Sequence, residues 1–497
     1  MSVYVELHAH SYYSLLDGVP SPEALVQRAV AHAMPALALT DHDALYGAAR
    51  FAAAANAVGL KPIFGTELTL VNGGGHLTLL AENDTGYANL CQLITLARRD
   101  QQKGLAALPW RLLANHHEGL IALSGCRRSE IARAILKREA EKAARAADRF
   151  ASIFGRKNFF LELQRHHDRG DRRLNAGLTA LGHRLNLRLV ATGDVHYLVA
   201  DEAPLHDILT CIRHRVPLGQ ANGLLRSNAE YAFRSPQEMM ALFSEWPDAL
   251  QATLDIAERC QAHLPLGPQT LPVGPTSNGV SSIRYLRQLC EMSLTHKRAG
   301  RALADYRAVL NRELSIIEAQ NLAEYFLIVW DLVNFARSRG ILCQGRGSAA
   351  NSLVAYLLDI TPIDPLAAGL VFERFLSPER ATAPDIDVDF AADRREEAIQ
   401  YLYQKYGPEH AAMACTVVTF GARQAVRDVG MALGFAGETI DRVSAALDVH
   451  SAVDLSSLSS LRAAFSDQLA SPRWQQWLKL AAALDAFPRH LGIHILK

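Results

Sequence analysis

The sequence predicts an α/β chain with two main units: a barrel-like alternation of strands and helices, then a mixed unit that trails into helices. Three observations carry this reading. Seven short β-rich runs alternate with helical stretches over the first 200 residues. A Pro/Gly-rich stretch, HLPLGPQTLPVGPTSNG (263–279), marks a boundary. Beyond it, helical periodicity is broken by one Gly-rich turn and one strand of alternating aspartates. At 497 residues the chain has room for roughly two to four domains.

The predicted strands are VYVEL (3–7), ALALT (36–40), PIFGTEL (62–68), HLTLLA (76–81), LIALSG (120–125), FFLEL (159–163) and RLVATGD (188–194). Each is a short apolar or β-branched run that ends in polar residues. Helical stretches at 21–33, 44–57, 85–99, 128–151 and 171–186 lie between most of them. The second unit starts near Val280 with helices, including the apolar YFLIVWDLVNFA (325–336). It continues through a turn at 345–347 and an acidic segment at 384–390, and from about Thr416 the pattern is mostly helical.

A hydrophobic share of 49% and a charged share of 21% exclude a disordered or collagen-like chain. Lys and Arg total 51 and so do Asp and Glu, so no global charge favours nucleic acid or membrane. Locally, Arg98 to Arg184 holds 19 basic and 9 acidic residues, a net of +10. KREAEKAARAADR (137–149) has the charge spacing of a solvated helix, and charge alone favours that reading over a phosphate-facing surface. The seven cysteines include no C-x-x-C pair, which fits a reducing, cytoplasmic setting. No apolar run reaches the ~18 residues of a membrane span, and the start MSVYVELHAH has neither part of a signal peptide.

Ligand-type side chains collect where the first unit's strands end. His8 and His10 follow VYVEL and share a strand face. Asp17 lies just beyond, His42 follows ALALT, Glu67 closes PIFGT, His76 opens HLTLLA, and Cys126 follows LIALSG. Asp194 and His196 follow RLVAT and again share a face. In α/β barrels such loops converge on one mouth. Imidazole, carboxylate and one thiol suit Zn, Mn or Fe better than Ca. Nine ligands exceed a structural zinc site, so two or three ions are expected, a device for activating water against phosphoryl groups.

HAHSYYSLLDG, ALALTDHDALYG, FGTELTL, LSGC and ATGDVHY resemble the polymerase-and-histidinol-phosphatase (PHP) domain. The resemblance implies a metal-dependent phosphoesterase on a seven-stranded (βα) barrel, of 3′–5′ exonuclease or phosphoesterase type, holding two or three Zn2+ or Mn2+ ions. Every ligand position of the family pattern falls on one of the nine residues named above.

In the second unit, ILCQGRGSAANSLVAYLLDI (341–360) runs from a strand-like piece through glycines into a helix. Gly345 and Gly347 permit close backbone approach, and Ser348 is expected near a helix start, where free N–H groups favour phosphate. No Walker loop is present. In PDIDVDF, Ile386, Val388 and Phe390 point one way and Asp385, Asp387 and Asp389 the other. Three carboxylates on one face call for a cation, as in two-metal transfer sites.

Order and spacing together resemble the bacterial C-family DNA polymerases, of the DNA polymerase III alpha subunit type. Asn351 in GSAANS, YFLIVWDLVNFARSRGILCQGRGSAANS and RREEAIQYLYQKYG (394–407) are similar to the error-prone branch. The resemblance implies a PHP domain over 1–265, a nucleotidyltransferase (polymerase-beta-like) palm portion over 266–416, and a helical thumb over 417–497. It makes Arg346, Gly347, Ser348 and Arg374 triphosphate-binding, and Asp385 and Asp387 the catalytic Mg2+ ligands. Asp389 shares their face without a catalytic role. Expected partners are DNA primer-template and dNTPs, with a sliding clamp and damage-tolerance proteins for a full-length relative, and no membrane. Family members are about twice as long, so a truncated chain without the third palm carboxylate and the fingers is expected, with doubtful synthesis on its own. The alternative is a free-standing metal-dependent phosphoesterase.

Overall fold

In the computed structural model, residues 4–71, 75–99, 101–102, 104–264, 274, 279–297, 302–376, 384–447 and 465–493 are described; most of the Pro/Gly-rich stretch 263–279 lies outside them. The chain divides into two compact units, Met1–Leu264 with Val417–Gly492, and Pro265–Thr416 with Ile493–Lys497.

In the first unit, β1 (Ala36–Leu39), β2 (Lys61–Leu70), β3 (Gly75–Ala81), β4 (Leu120–Leu123), β5 (Phe159–Leu163) and β6 (Arg188–Ala191) form one sheet in sequence order. β1 and β2, β4 and β5, and β5 and β6 run parallel. β3 is antiparallel to both of its neighbours. Parallel return needs a crossover of a dozen or more residues, and the connection from Leu70 to Gly75 is far too short, so β3 folds back as a hairpin.

This corrects the expected seven-stranded (βα) barrel in two respects. One strand is reversed, and VYVEL forms isolated bridges in place of a seventh strand, Glu6 to Leu37 and Ala9 to Val195. Backbone bonds run on both sides of it: Ala38 N to Glu6 O (2.9 Å), Thr40 N to Ala9 O (2.9 Å), Val195 N to His8 O (2.9 Å) and His10 N to Val195 O (2.8 Å). The segment thus links the two ends of a curled sheet, its histidines pointing off a fully buried backbone.

β1, β4 and β5 are buried at every position, as apolar runs covered on both faces should be. The cover includes α1 (Pro22–Ala31), α2 (Ala48–Ala57), α3 (Asp84–Arg99), α4 (Glu130–Leu136), α5 (Ala140–Phe154) and α6 (Asp171–Leu185). The single helix expected over 128–151 is two, because the chain breaks where Arg138 takes a left-handed φ of 64°. α7 (Ala203–His214), α8 (Pro236–Leu242) and α9 (Pro247–Arg259) follow.

The second unit holds α10 (Ser282–Leu294), α11 (Leu303–Ala319), α12 (Ala323–Ser338), β7 (Cys343–Arg346), the short α13 (Leu353–Leu357), β8 (Asp387–Phe390) and α14 (Arg395–Tyr406). Its core is built from Tyr306, Leu310, Leu314, Phe326, Leu353, Val354 and Phe375. β7 and β8 pair antiparallel, with Gln344 opposite Asp389 and Arg346 opposite Asp387.

The tail is helical as expected, with α15 (Ala422–Ala432), α16 (Gly437–Ala445) and α17 (Pro472–Ala483), but the paired strands β9 (Cys415–Thr419) and β10 (Pro488–Ile493) bound it. Trp477, fully buried, donates to Val426 O at 2.9 Å. Phe420, Val426, Val429 and Trp477 share one core with Val19, Tyr197, Ile208 and Leu209, so α15 and α17 pack on the loop near Asp17 and on α7. Among the described residues no helix is long and apolar enough to cross a membrane.

Candidate metal centre and candidate palm site

All nine ligand-type residues of the first unit meet at one end of the curled sheet. Four groups of three put their ligand atoms within 4.8 Å of one another: His8, His10 and Asp194; His10, His42 and Glu67; Glu67, His76 and Cys126; Asp17, His196 and His206. Glu67 sits in the middle. Its Oε2 lies 2.9 Å from His42 Nδ1, 3.1 Å from His76 Nδ1 and 3.7 Å from His10 Nε2, and its Oε1 lies 3.6 Å from His8 Nε2. Asp194 Oδ1 lies 3.1 Å from His196 Nε2, 3.5 Å from His10 Nε2 and 3.6 Å from His8 Nε2. The antiparallel hairpin is what brings His76 here: its residue pairs with Thr69, two past Glu67.

Burial would raise the carboxyl groups of Glu67, Asp17 and Asp194, but the imidazoles around them, with Arg213 beside Asp17, hold all three well below the ordinary range. Burial would depress His8 and His42, yet Glu162, Asp194 and Glu67 hold His8 up at about 10, and Glu67 and Asp17 do the same for His42. His10, stacked at 4.4 Å against both His42 and His196, is pushed down to about 4 by burial and the charge of His42. His196 is also driven low, by burial and Arg226. Burial, with Glu67 and Asp194, pushes the Cys126 thiol up.

His8 Nε2, His10 Nε2 and Glu67 Oε1 are buried without a hydrogen-bond partner. Buried polar atoms are rarely left so. Three such atoms in one cluster, in a set of nitrogen, oxygen and sulfur donors, fit transition-metal ions.

The sequence reading missed several contributors. His206 of α7 lies 3.3 Å from Asp17 Oδ1, and Arg213 Nη1 lies 2.5 Å from Asp17 Oδ2. A lone histidine in APLHDILT has no H-x-H pattern to betray it. Glu162 hydrogen-bonds His8 Nδ1 at 2.6 Å; the signal was present, a charged residue within the otherwise apolar strand FFLEL. Arg226 contacts His196 Nε2 and stacks 3.8 Å over the Tyr231 ring. Above the cluster lies a cavity of about 370 Å³, with His42, Glu67, His76, Cys126, Asp194 and His196 on its walls and Arg127, Arg128, Arg169 and Arg226 at its rim.

In the second unit, Arg346 and the aspartates do meet. Arg346 Nη2 lies 3.6 Å from Asp387 Oδ2 and its Nε 3.2 Å from Asp389 Oδ1, so this guanidinium is a cation joining two carboxylates of the strand face. Ile386 and Val388 pack toward the core, as the alternation requires. Asp385 is exposed and precedes β8, whose first residue is Asp387. Gly347 has φ 67°, a turn that suits glycine. Arg374 is exposed on the 3-10 turn Phe372–Arg374 and makes no ion pair with the three aspartates among the described residues.

The expected helix start at Ser348 is corrected. Gly347–Asn351 is a 3-10 turn, and the helix begins at Leu353, capped by Ser352. Its free donors are already taken: Glu313, 1% exposed, accepts from Leu353 N (2.8 Å), Val354 N (3.0 Å) and Ser352 Oγ (2.9 Å). A carboxylate from α11 thus holds the N-terminus of α13, beyond the Gly347–Ser348 turn.

Residues 6–166 match the PHP domain family, and residues 284–495 match the family described as bacterial DNA polymerase III alpha NTPase domain. Relatives named error-prone DNA polymerase align over 99% of this chain: 42% identical in Symbiobacterium thermophilum, 40% in Cutibacterium acnes and 34% in Anaeromyxobacter sp. strain K, covering 47%, 43% and 50% of those proteins. The chain thus spans about half the length of the curated relatives it matches. Among solved structures, an amidohydrolase from Chromobacterium violaceum aligns with 39% of this chain and 87% of its own, at 20% identity and a TM-score of 0.27, too weak to carry an argument.

Proposed function

Because the chain carries a PHP domain followed by a bacterial DNA polymerase III alpha NTPase domain, and resembles error-prone DNA polymerases along 99% of its length, we propose that it is the PHP and palm portion of such a polymerase. Template-directed DNA synthesis in damage tolerance and repair, in the cytoplasm, is the role of the whole polymerase; residues 1–497, without a third palm carboxylate and the fingers, are not polymerase-active alone. Its partners are primer-template DNA and dNTPs, with a sliding clamp and damage-tolerance proteins for the whole polymerase. In the palm, Asp385 and Asp387 hold Mg2+, and Arg346, Gly347, Ser348 and Arg374 hold the triphosphate. Arg346 must then exchange its carboxylate partners for phosphate oxygens.

The PHP unit hydrolyses phosphate esters, with 3′–5′ exonuclease action as its specific form. The observation that carries this is the buried trio of unpartnered atoms, His8 Nε2, His10 Nε2 and Glu67 Oε1, inside a set of nine donors. Those nine residues hold two or three Zn2+ or Mn2+ ions, which when bound supply Lewis acidity and lower the pKa of water. Arg128 and Arg169, exposed at the rim, and Arg226 orient the phosphate. Arg127 is committed to Asp168 and Asp171. A second reading, hydrolysis by the first unit alone on small phosphate esters, is favoured by the fact that one unit holds all nine donors.

A 5′-labelled primer incubated with the protein and Mn2+ should shorten from its 3′ end, and chelator or His10→Ala should stop it. Equal shortening by the His10 variant defeats the hydrolytic reading. Release of phosphate from small monoesters without primer shortening favours the second.

A further inference from the structure

Glu162 is a fully buried carboxylate, next to last in β5, and nothing in the proposed chemistry uses it directly. Its two oxygens accept from four directions. Oε1 takes His8 Nδ1 at 2.6 Å, Thr192 Oγ1 at 2.5 Å and Gln164 Nε2 at 3.0 Å; Oε2 takes the backbone N–H of Gly125 at 3.0 Å. Three of these partners sit on or beside three of the segments that deliver ligands. His8 is itself a candidate ligand, Gly125 precedes Cys126, and Thr192 lies two residues before Asp194. An imidazole whose Nδ1 hydrogen is held by a carboxylate must turn Nε2 the other way. His8 Nε2 indeed faces Glu67 and Asp194 at 3.6 Å each, with no hydrogen-bond partner.

We propose that Glu162 is the positioning residue of the metal centre: it fixes the tautomer and ring orientation of His8 and locks the Cys126 and Asp194 loops to the same carboxylate. The role rests on the metal reading of the cluster. It follows from chemistry common to metal-bound histidines, where a carboxylate on the far nitrogen orients the ring and raises its basicity. Glu162 lies against His8 Nδ1, on the side of the ring away from Glu67 and Asp194, so it supports the cluster from outside.

The test uses the full chain, stripped of ions and titrated with Co2+, with affinity by calorimetry and ligand geometry by the visible absorption spectrum. Glu162→Gln keeps the shape but puts an amide N–H₂ against one of its donors, and should weaken the tightest Co2+ binding about 10–100-fold and alter the spectrum. Thr192→Val removes one hydroxyl from the carboxylate and leaves His8 bonded; it should give a smaller loss in the same direction, and keeps the test open if the Gln variant does not fold. Asp171→Asn, a buried carboxylate that accepts from His166 N and Asp168 N and touches no candidate ligand, should leave affinity and spectrum unchanged. A wild-type protein that binds no Co2+ removes the metal reading itself. Wild-type binding matched in affinity and spectrum by folded Glu162→Gln or Thr192→Val protein overturns this proposal alone, as does an equal loss in Asp171→Asn.

Discussion

Glu313 offers a perturbation whose sign and size both follow from its surroundings. Burial lifts its carboxyl from 4.5 to about 7, against the pull of the Leu353 and Val354 N–H groups and the Ser352 hydroxyl. A folded pKa above the unfolded one means the folded state holds a proton that the unfolded chain releases. The stabilisation is therefore complete below about pH 4.5 and is lost as pH rises to about 7. A displacement of this size is worth roughly 3 kcal/mol at 1.36 kcal/mol per pKa unit. Glu313→Gln removes the ionisation, but its N–H₂ must face one of the helix donors, which costs about 1–3 kcal/mol at every pH. The variant should therefore be clearly less stable than wild type at pH 5 and near parity at pH 8, the gap closing by roughly 2–3 kcal/mol. Hydrogen exchange of a peptide spanning Leu353 and Val354, corrected for intrinsic rates, reads the local opening free energy at both pH values. A gap that stays constant or widens from pH 5 to pH 8 refutes the reasoning, because it places the charged form of Glu313 as the comfortable one.

Glu67 belongs to two of the four ligand groups, so Glu67→Gln should lower the bound-ion count by elemental analysis more than Cys126→Ser does; equal losses contradict its central place. Chelation should lower the melting temperature of the wild type, since free ion at 100 times its Kd adds about 2.7 kcal/mol per site, and should leave Glu67→Gln nearly unmoved. Arg346→Ala should weaken Mg2+·dNTP binding about tenfold or more through loss of a charge-assisted contact of about 1.5–3 kcal/mol, measured by calorimetry; unchanged affinity removes Arg346 from the triphosphate site. Gly125→Ala should destabilise the first unit by about 1–3 kcal/mol in urea melts, because its φ is 84° and a Cβ there would stand 2.4 Å from His76 O; a neutral effect shows that the Cys126 loop is free to shift.

The first unit was legible wherever its information was local. Apolar runs such as FFLEL and LIAL became fully buried strands, and H-x-H on one strand face placed two imidazoles together without any knowledge of the fold. The reversal of β3 was readable too, from a connection too short for a crossover, yet the alternating rhythm suggested a uniform barrel. VYVEL fell short of a strand ladder because it makes only one bridge on each side, Glu6 to Leu37 and Ala9 to Val195.

What the sequence hid depends on register and on distance along the chain. Arg346 meets Asp387 and Asp389 only because β7 and β8 pair antiparallel with those residues opposed; a slip of one residue would turn the guanidinium to the other face. That pairing bears on function. On the proposed palm reading, nucleotide recognition there is an exchange of partners: the carboxylates gain a metal cation as the guanidinium, which offsets only part of their charge, gains phosphate. Glu313 completes the logic from 40 residues away. It accepts from Leu353 N and Val354 N and so occupies the α13 N-terminus; on the proposed palm reading the triphosphate is therefore held by the Arg346–Ser348 turn, beside the aspartates.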